Sequence, residues 1–320
     1  MRRRQQPPLP KRHGLDPARV RMPEDGEWAT IVDFVLARET RIPAERVDEM
    51  FAGGEIVDMN GPVAANAPYV PGEAVWFHRD LPDEPPVPFD ITVVHRDETL
   101  LVVDKPHFLS TIPRGGHVLQ SALVRLRRDL DLPALVPAHR LDRVTAGLVL
   151  FVVDPASRGA YQSLFQDRKV NKEYEAIAPY SNLEFPLTLR SRIVKERGDF
   201  EAREVDGEPN AETVVELLEV RDGLGRYRLH PRTGRTHQLR LHMNSLGVPI
   251  LGDDLYPEPT DRPLDDFTAP LQLLASAMEF TDPISGDVRR FDTRRTLERW
   301  VTTTAPAGAA TPSRSPEPLH

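Results

Sequence analysis

Residues 138–151 read AHRLDRVTAGLVLF. In it a carboxylate, Asp142, lies between Arg140 and Arg143 on a short polar loop that leads into the apolar run of residues 148–151. Such a run predicts a buried strand, and a loop at the end of a rigid strand can hold a reactive group accurately. An aspartate between arginines is also typical of a structural ion pair, so these residues alone leave both roles open.

A second stretch, residues 230–242, reads HPRTGRTHQLRLH. It lies within residues 223–252, which contain five arginines, three histidines and no carboxylate. The turn at residues 232–235 presents guanidinium groups and backbone amides ahead of a predicted helix at residues 237–246, an arrangement suited to phosphate groups. The alternative is a solvated basic loop followed by a surface helix, and we predict the anion-binding surface.

The overall charge argues against a polycationic nucleic-acid binder. The 320 residues carry 41 lysines and arginines against 49 aspartates and glutamates, a net charge of −8. The acidic residues are concentrated, nine in residues 199–222 and six in residues 253–266. A locally positive surface at residues 223–252 is therefore expected despite the negative total.

The residue types also exclude several kinds of site. The chain has no cysteine, which excludes disulfides, thiolate metal sites and cysteine nucleophiles. His237 and His242 are five residues apart among arginines, so we predict no metal site. No apolar run is long enough to cross a membrane, and we predict a cytoplasmic protein without membrane contact.

Composition divides the chain into five predicted segments. A basic, proline-containing disordered arm is predicted at residues 1–24, either a weak electrostatic tether to RNA or a solvated tail. A small module follows at residues 25–80, then a stiff proline-rich linker at residues 81–88. The main domain is predicted at residues 89–301, and a disordered tail at residues 302–320.

The main domain combines strands and helices without strict alternation, which predicts an α+β fold with a mainly antiparallel or mixed sheet. Asp154 and Pro155 suit the N-cap and first position of one helix. The predicted strands are residues 91–95, 100–104, 148–153, 172–178, 213–220 and 226–230. The predicted helices follow the stripe through residues 119–130, the turn after Pro155, and residues 237–246.

The two motif stretches together resemble the RluA-like pseudouridine synthases. The resemblance rests on HRLDRVTAGLVLF, TGRTHQLRLHMNSLGVPILGDDLY, KVNKEYEA and LLVVDKPHFL, four motifs in the family's order over roughly residues 89–300. It implies the pseudouridine synthase fold with a catalytic cleft, and no cofactor. Two departures occur: Ala146 stands where serine is frequent, and Lys105-Pro-His-Phe108 replaces the usual Lys-Pro-Ala-Gly. We expect His107 and Phe108 to pack.

The resemblance also implies roles for single residues. Asp142 would attack the flipped uridine or its ribose, and Arg140 would help to displace the target base. Tyr174 would stack on the uracil and assist proton transfer. Arg240 would pair with the catalytic aspartate, and Leu239 would pack on the base. The predicted RNA contacts are Arg140, Arg143, Leu239, Arg232, Arg235 and His237.

The chemistry of pseudouridine formation explains these residue types. The reaction breaks the N1–C1′ bond, turns the uracil and joins C5 to C1′, with no reductant or energy source. A carboxylate can stabilise the cationic sugar, attack it or remove a proton, and a nearby arginine keeps it ionised. An aromatic face retains the detached base at about 1–3 kcal/mol, and flipping the base costs a few kcal/mol.

The module at residues 25–80 resembles an S4 domain through ERVDEMFAGGEIVDMNGPV. That family grips RNA with basic helix residues, whereas here Arg46 stands beside Glu45, Asp48 and Glu49. We therefore predict a degenerate S4-like module, structural or weakly binding.

The sequence predicts a monomeric RNA pseudouridine synthase that acts on a uridine in rRNA of the 23S type, in tRNA, or in both. One alternative is a catalytically silent RNA-binding protein or RNA chaperone on the same fold. Another is a nucleoside or glycoside hydrolase, which needs a second acid for the leaving group. The sequence shows no such acid.

Overall fold

The computed structural model describes residues 7–300 except residues 82, 197 and 200. The described residues form two compact units. The first is drawn from Met1–Val170, Asp261–Pro270 and Glu279–Phe291, and the second from Asn171–Thr260, Leu271–Met278 and Asp292–His320. No helix in the described part of the chain is long and apolar enough to cross a membrane.

The first unit begins with a small module. Its elements are β1 (Ala18–Arg21), α1 (Ile31–Arg38), α2 (Ala44–Ala52), β2 (Val57–Asp58), β3 (Gly61–Pro62) and β4 (Ala74–Phe77). The strands form one sheet in the order β1-β4-β2-β3. Helix α1 starts at a capping box, in which the Thr30 hydroxyl accepts the Asp33 N–H and the Asp33 carboxylate accepts the Thr30 N–H.

Arg46 on α2 is surrounded by carboxylates, and its two nearest partners, Glu55 and Asp80, are not the acids beside it in the sequence. Its guanidinium binds Glu55 at 2.8 Å and Asp80 at 2.8 Å and lies 3.7 Å from Glu49. These carboxylates compete with any phosphate for Arg46. The likeness of this module to an S4 domain stays a prediction.

The prediction of a disordered arm over residues 1–24 is wrong for its second half. Residues 18–21 form β1, which pairs antiparallel with β4 from Ala18 opposite Phe77 to Arg21 opposite Ala74. Val20 and Met22 are buried in the module's core, and alternation along the strand leaves Arg19 and Arg21 exposed. Two apolar side chains thus outweigh the basic composition of the segment. Residues 1–6 lie outside the described residues.

The rest of the first unit carries the strand predicted from residues 148–151. Its elements are β5 (Thr92–Arg96), β6 (Leu100–Lys105), α3 (Ala122–Asp129), β7 (Val136–Pro137), β8 (Ala146–Val152) and α4 (Arg158–Gln166). Strand β6 pairs antiparallel with β5 and β8, and β7 pairs with β8. All seven residues of β8 are buried, so the loop before it is anchored to the core.

Helix α4 begins later than predicted, at Arg158. The Asp154 carboxylate instead accepts the backbone N–H groups of Ala156 and Ser157, at 3.0 and 3.1 Å, and the Ser157 hydroxyl. Asp154 therefore closes a tight turn ahead of the helix, as aspartate often does.

The segment at residues 81–88, predicted as a linker, has no helix or strand among its described residues. Its Glu84 carboxylate accepts the backbone N–H groups of Leu119 and Gln120, at 2.7 and 2.9 Å. Val87 is buried. The segment is thus bonded to the first unit. The predicted tail at residues 302–320 lies outside the described residues.

The second unit is built on long strands. Its elements are β9 (Asn171–Pro179), β10 (Leu187–Val194), β11 (Arg203–Val205), β12 (Ala211–Arg221), β13 (Leu224–Pro231), α5 (Gln238–Ser245) and β14 (Leu273–Thr281), whose last residues fall in the first unit. The last strand among the described residues is β15 (Val288–Asp292). The strand order in this unit is β11-β10-β12-β13-β9-β14. The register is antiparallel at β10–β11, β10–β12, β12–β13 and β13–β9, which confirms the predicted α+β class.

Candidate active site

Asp142 lies in the loop of residues 138–145, between β7 and β8. Asp142 and Arg143 are half-buried, whereas Arg140 is exposed. The loop bends back on itself, because the Thr145 N–H donates to the Asp142 carbonyl at 3.2 Å. This bend sets a half-buried carboxylate between two arginines at the entrance to a fully buried strand.

The buried ammonium of Lys105, at the end of β6, holds this loop from one side. Its Nζ donates to the carbonyl oxygens of Pro106 at 2.9 Å, Leu109 at 2.8 Å and Arg143 at 3.3 Å. A lysine Nζ has three donors, and here three backbone carbonyls receive them. Lys105 thus ties the turn after β6 to the residue that follows Asp142.

Two further side chains bind the backbone of the loop. The Thr111 hydroxyl donates to the Leu141 carbonyl at 2.8 Å and accepts the Leu141 N–H at 3.0 Å. Nδ1 of His107 lies 2.7 Å from the Val144 carbonyl, and because a carbonyl only accepts, Nδ1 carries the proton. These bonds and that of Lys105 all go to backbone atoms, so none of them uses the Asp142 carboxylate.

His139 has a structural role. Its ring stacks on Phe165 with centroids 4.2 Å apart and planes 17° apart. Its Nε2 accepts the Leu150 N–H at 3.1 Å. The imidazole therefore fixes the start of the loop against β8 and α4.

Phe108 lies in the turn that carries Lys105 and His107, and its φ is +63°. A side chain in this left-handed region costs about 1–2 kcal/mol. The ring is buried and packs against Phe89 and Phe267, at centroid distances of 6.3 and 5.7 Å. Phe108 therefore packs, as predicted, in the backbone conformation that glycine adopts without strain.

The second motif is held by a buried polar network around Gln238. The Thr233 hydroxyl and the Arg235 N–H donate to its Oε1, at 2.7 and 3.0 Å. Its Nε2 donates to the Glu212 carbonyl at 2.9 Å and the Thr213 hydroxyl at 3.0 Å. Every hydrogen-bonding position of the amide faces a partner, so Gln238 fastens the start of α5 to β12.

Arg240, on α5, is 2% exposed and is engaged by two carboxylates. Its Nε donates to Asp253 Oδ2 at 2.8 Å, and its Nη2 donates to Asp253 Oδ1 and, at 2.7 Å, to Asp254 Oδ1. Asp253 also accepts the N–H groups of Leu255 and Tyr256, at 2.9 and 3.0 Å. Arg240 and Asp253 together fix the loop after α5.

His237 precedes α5 with a φ of +57°. Its Nδ1 lies 3.0 Å from the Tyr256 hydroxyl, which donates to the Ala202 carbonyl at 2.7 Å. The single phenolic proton is thereby used, so His237 Nδ1 is the donor. Burial raises the pKa of Tyr256 to about 12, which keeps that proton in place at neutral pH.

A locally positive surface was expected at residues 223–252, but the strand arginines of this stretch are paired with acids from neighbouring strands. Arg226 donates two hydrogen bonds of 3.0 Å to Glu175, and Arg228 lies 3.7 Å from Glu216. Antiparallel pairing sets β13 between β9 and β12, so acids that are remote in the sequence become neighbours. These pairs neutralise much of the stretch.

The predicted site residues divide between the units. The loop brings Arg140, Asp142 and Arg143 together in the first unit. The second unit holds Tyr174, Arg232, Arg235, His237, Leu239 and Arg240. Tyr174 is half-buried on β9 opposite Leu229, and Leu239 is buried.

The two turn arginines, Arg232 and Arg235, are exposed. Arg232 lies 3.0 Å from Glu212, and Arg235 Nε donates to the Asn210 carbonyl at 3.1 Å. No metal-binding group of histidines and carboxylates occurs among residues 7–300 as described.

Several residues that hold the site were not predicted from the sequence. Thr111 and His107 lie about 30 residues before the loop, and no spacing rule links them to it. Asp253 lies 13 residues after Arg240 and is its main partner. The sequence did carry one signal for such a partner: residues 223–252 contain five arginines and no carboxylate. A buried guanidinium among them would need a carboxylate from outside the stretch.

Known proteins are similar to this chain in both sequence and fold. The RNA pseudouridylate synthase family model matches residues 99–245. The chain is 31% identical over 218 residues to the dual-specificity RNA pseudouridine synthase RluA of Haemophilus influenzae, covering 66% of this chain and 95% of that protein. It is 28% identical over 293 residues to the ribosomal large subunit pseudouridine synthase D of Yersinia pestis, covering 85% and 84%.

Among solved structures, human RNA pseudouridylate synthase domain containing 1 matches with a TM-score of 0.50 and 26% identity, over 67% of this chain and 86% of that one. These similarities define the class as RNA pseudouridine synthases, which are isomerases. Within that class, the chain belongs to the RluA-like family. The predictions of family, fold and enzyme class are thereby confirmed.

Proposed function

We propose that the protein isomerises specific uridines of rRNA, tRNA or both, with Asp142 as the catalytic carboxylate. The observation that carries this proposal is the loop of residues 138–145. The described hydrogen bonds from Lys105, His107 and Thr111 to this loop go to its backbone atoms. A catalytic carboxylate must be held in a precise position relative to the substrate, and a loop with a fixed backbone provides this. The names of the relatives from Haemophilus influenzae and Yersinia pestis support RNA, including ribosomal RNA, as the substrate class.

The other roles in the proposal follow from residue chemistry and from the resemblance. Tyr174 stacks on the uracil and keeps the detached base in place. Arg240 favours the charged form of the catalytic carboxylate, and Asp253 and Asp254 fix the orientation of its guanidinium. Leu239 packs on the base. The resemblance implies that no cofactor takes part.

The RNA backbone is bound in this proposal by arginines of the two motifs, of which Arg140, Arg232 and Arg235 are exposed and Arg143 is half-buried. Arg140 helps to displace the target base, and Arg143, Arg232 and Arg235 contact phosphates, with His237 beside them. Since the strand arginines are paired with acids, few phosphate contacts remain. For each tenfold rise in salt concentration, the RNA affinity should fall by about one logarithmic unit per phosphate contact. We further propose that the enzyme is a monomer and works in the cytoplasm.

Replacing Asp142 tests the proposed function. The protein is incubated with ribosomal and transfer RNA transcripts labelled with tritium at uridine C5, and the tritium released to water is measured. Asp142→Asn keeps the size of the side chain and removes its charge. It should abolish release while RNA still binds in a filter assay. Asp129→Asn is the matched control, because Asp129 is exposed on α3 and contacts only its neighbour Arg128 among the ion pairs described.

The outcomes separate the candidate functions. Release by the wild-type protein and the control, but not by Asp142→Asn, supports the proposal. Full activity of Asp142→Asn would overturn the assigned role of Asp142. RNA binding by the wild-type protein without any release would favour the catalytically silent RNA-binding protein. Mapping pseudouridines in total RNA with and without the gene would then identify the target uridine.

A further inference from the structure

The ring of Phe108 lies against two arginines. The guanidinium carbon of Arg143 lies over this ring at 5.9 Å from its centroid, and that of Arg262 lies over it at 5.7 Å. Cations within about 6 Å of an aromatic face are attracted to it. The ring is almost completely buried, so these contacts form in a partly desolvated environment where the attraction is stronger.

The position of Phe108 is itself constrained. Phe89 stacks on it, and Phe267 meets its ring at 68°. The same turn carries Lys105 and His107, which donate to the carbonyls of Arg143 and Val144. The backbone of Arg143 and its guanidinium are therefore held by adjacent residues of one turn.

A side chain in a left-handed backbone conformation persists only where its surroundings determine it. Phe108 has this conformation, and its ring contacts supply that determination. Arg143 directly follows Asp142, so the direction of its guanidinium decides where a bound phosphate would lie relative to the carboxylate. A flexible arginine would have to lose that freedom each time RNA binds.

We propose that Phe108 is a positioning residue, whose ring holds Arg143 in the orientation in which Arg143 binds the RNA backbone beside Asp142. This inference rests on the proposed function, because it assigns Phe108 an effect on the binding of the RNA substrate. Phe108 acts through Arg143 and does not contact the RNA. Arg262 occupies the ring from the segment Asp261–Pro270 and helps to fix it.

A double-mutant cycle on KM tests the proposal. The substrate is an RNA transcript that the wild-type protein modifies, and kcat and KM are measured by tritium release from uridine C5. Phe108→Leu keeps an apolar side chain and removes the ring. It should raise KM about threefold to tenfold, the size of one partly desolvated cation–π contact, and leave kcat nearly unchanged. In the background of Arg143→Ala it should have no further effect on KM.

The matched control is Phe34→Leu. Phe34 is buried in a second aromatic cluster, with Trp28 and Tyr69 at centroid distances of 5.1 and 5.4 Å, and has no contact with the Asp142 loop among the ring contacts described. It should lower the melting temperature without raising KM. If Phe108→Leu does not fold, Phe108→Gly carries the same test, since glycine adopts this backbone without strain.

Three results are informative. Equal KM values for Arg143→Ala and the double variant support the proposal. An unchanged KM in Phe108→Leu, or KM effects of Phe108→Leu and Arg143→Ala that multiply, overturn it, because independent sites are additive. If the wild-type protein releases no tritium from any RNA, the proposed function fails, and this failure is distinct from the other two results.

Discussion

The two motif regions hold their functional residues by different means. In residues 138–145, side chains of the preceding turn bind backbone atoms of the loop, as Lys105 binds the Arg143 carbonyl. In residues 237–256, charged side chains bind one another, as Arg240 binds Asp253 and Asp254. The first arrangement fixes the backbone on both sides of the Asp142 carboxylate. In the second arrangement the charged side chains themselves form the ion pairs that stabilise the fold.

This comparison predicts different consequences of mutation. Removing a backbone-binding side chain from the first region should shift the loop and reduce catalysis more than stability. Removing one member of a buried ion pair from the second region leaves a charge without its partner in the interior, which is strongly destabilising. Measuring catalytic activity and the free energy of unfolding for variants of each region tests this difference.

The largest effect is expected for Arg240→Ala. It leaves Asp253, whose side chain is 1% exposed, as a buried charge without its arginine, at a cost of about 3–5 kcal/mol in the free energy of unfolding. Urea denaturation followed by circular dichroism measures this cost. Arg232→Ala is the control, since Arg232 is 69% exposed, and it should change stability by less than about 0.5 kcal/mol. Equal stabilities of the two variants would contradict the view that ion pairs hold the second region.

Adding Asp253→Asn to Arg240→Ala sharpens this result. The second substitution removes the charge that the first one strands, so the double variant should recover part of the lost stability. A double variant as unstable as the sum of the single ones would show that the backbone bonds of Asp253, and not its charge, dominate.

A smaller loss of stability and a larger loss of activity are expected for Lys105→Met. The long apolar side chain fills the space, but buried carbonyls lose their donor, at about 1–3 kcal/mol. The loop then shifts, and a displacement of about 1 Å at an active site can cost roughly a hundredfold in rate. The measurement is kcat for tritium release together with urea denaturation. The control Lys169→Met replaces an exposed lysine and should change neither kcat nor stability. A Lys105→Met enzyme with wild-type kcat would show that Lys105 does not position the Asp142 loop for catalysis.

Local patterns predicted much of the fold. The apolar run of residues 148–151 became β8, and the hairpins and α5 lie within about two residues of their predicted bounds. These elements depend on periodicity, which the sequence shows directly. The strand through Val20 was missed because two apolar residues in a basic segment are a weak signal without their partner strand.

Candidate catalytic residues could be proposed from the sequence, whereas the side chains that support them could not. Motif likeness selected Asp142, Tyr174 and Arg240. The pairing of Arg226 with Glu175 joins residues 51 positions apart, and only the strand register makes them neighbours. For the same reason the charge of a sequence segment did not predict the charge of the surface that it forms.

The smallest predicted effect concerns pH and the second region. Burial lowers the pKa of His242, so the folded protein keeps this imidazole neutral, hydrogen-bonded to Thr213 at 2.8 Å and Ser191 at 3.0 Å. As pH falls below about 6.5, the unfolded chain takes up a proton that the folded state resists. The stability contributed by His242 is therefore present above that pH and is lost as pH falls toward the folded-state pKa. Between pH 7.5 and pH 5.5, the free energy of unfolding measured with urea should fall less steeply for His242→Asn than for the wild-type protein. Identical slopes would show that groups other than His242 cause the pH dependence.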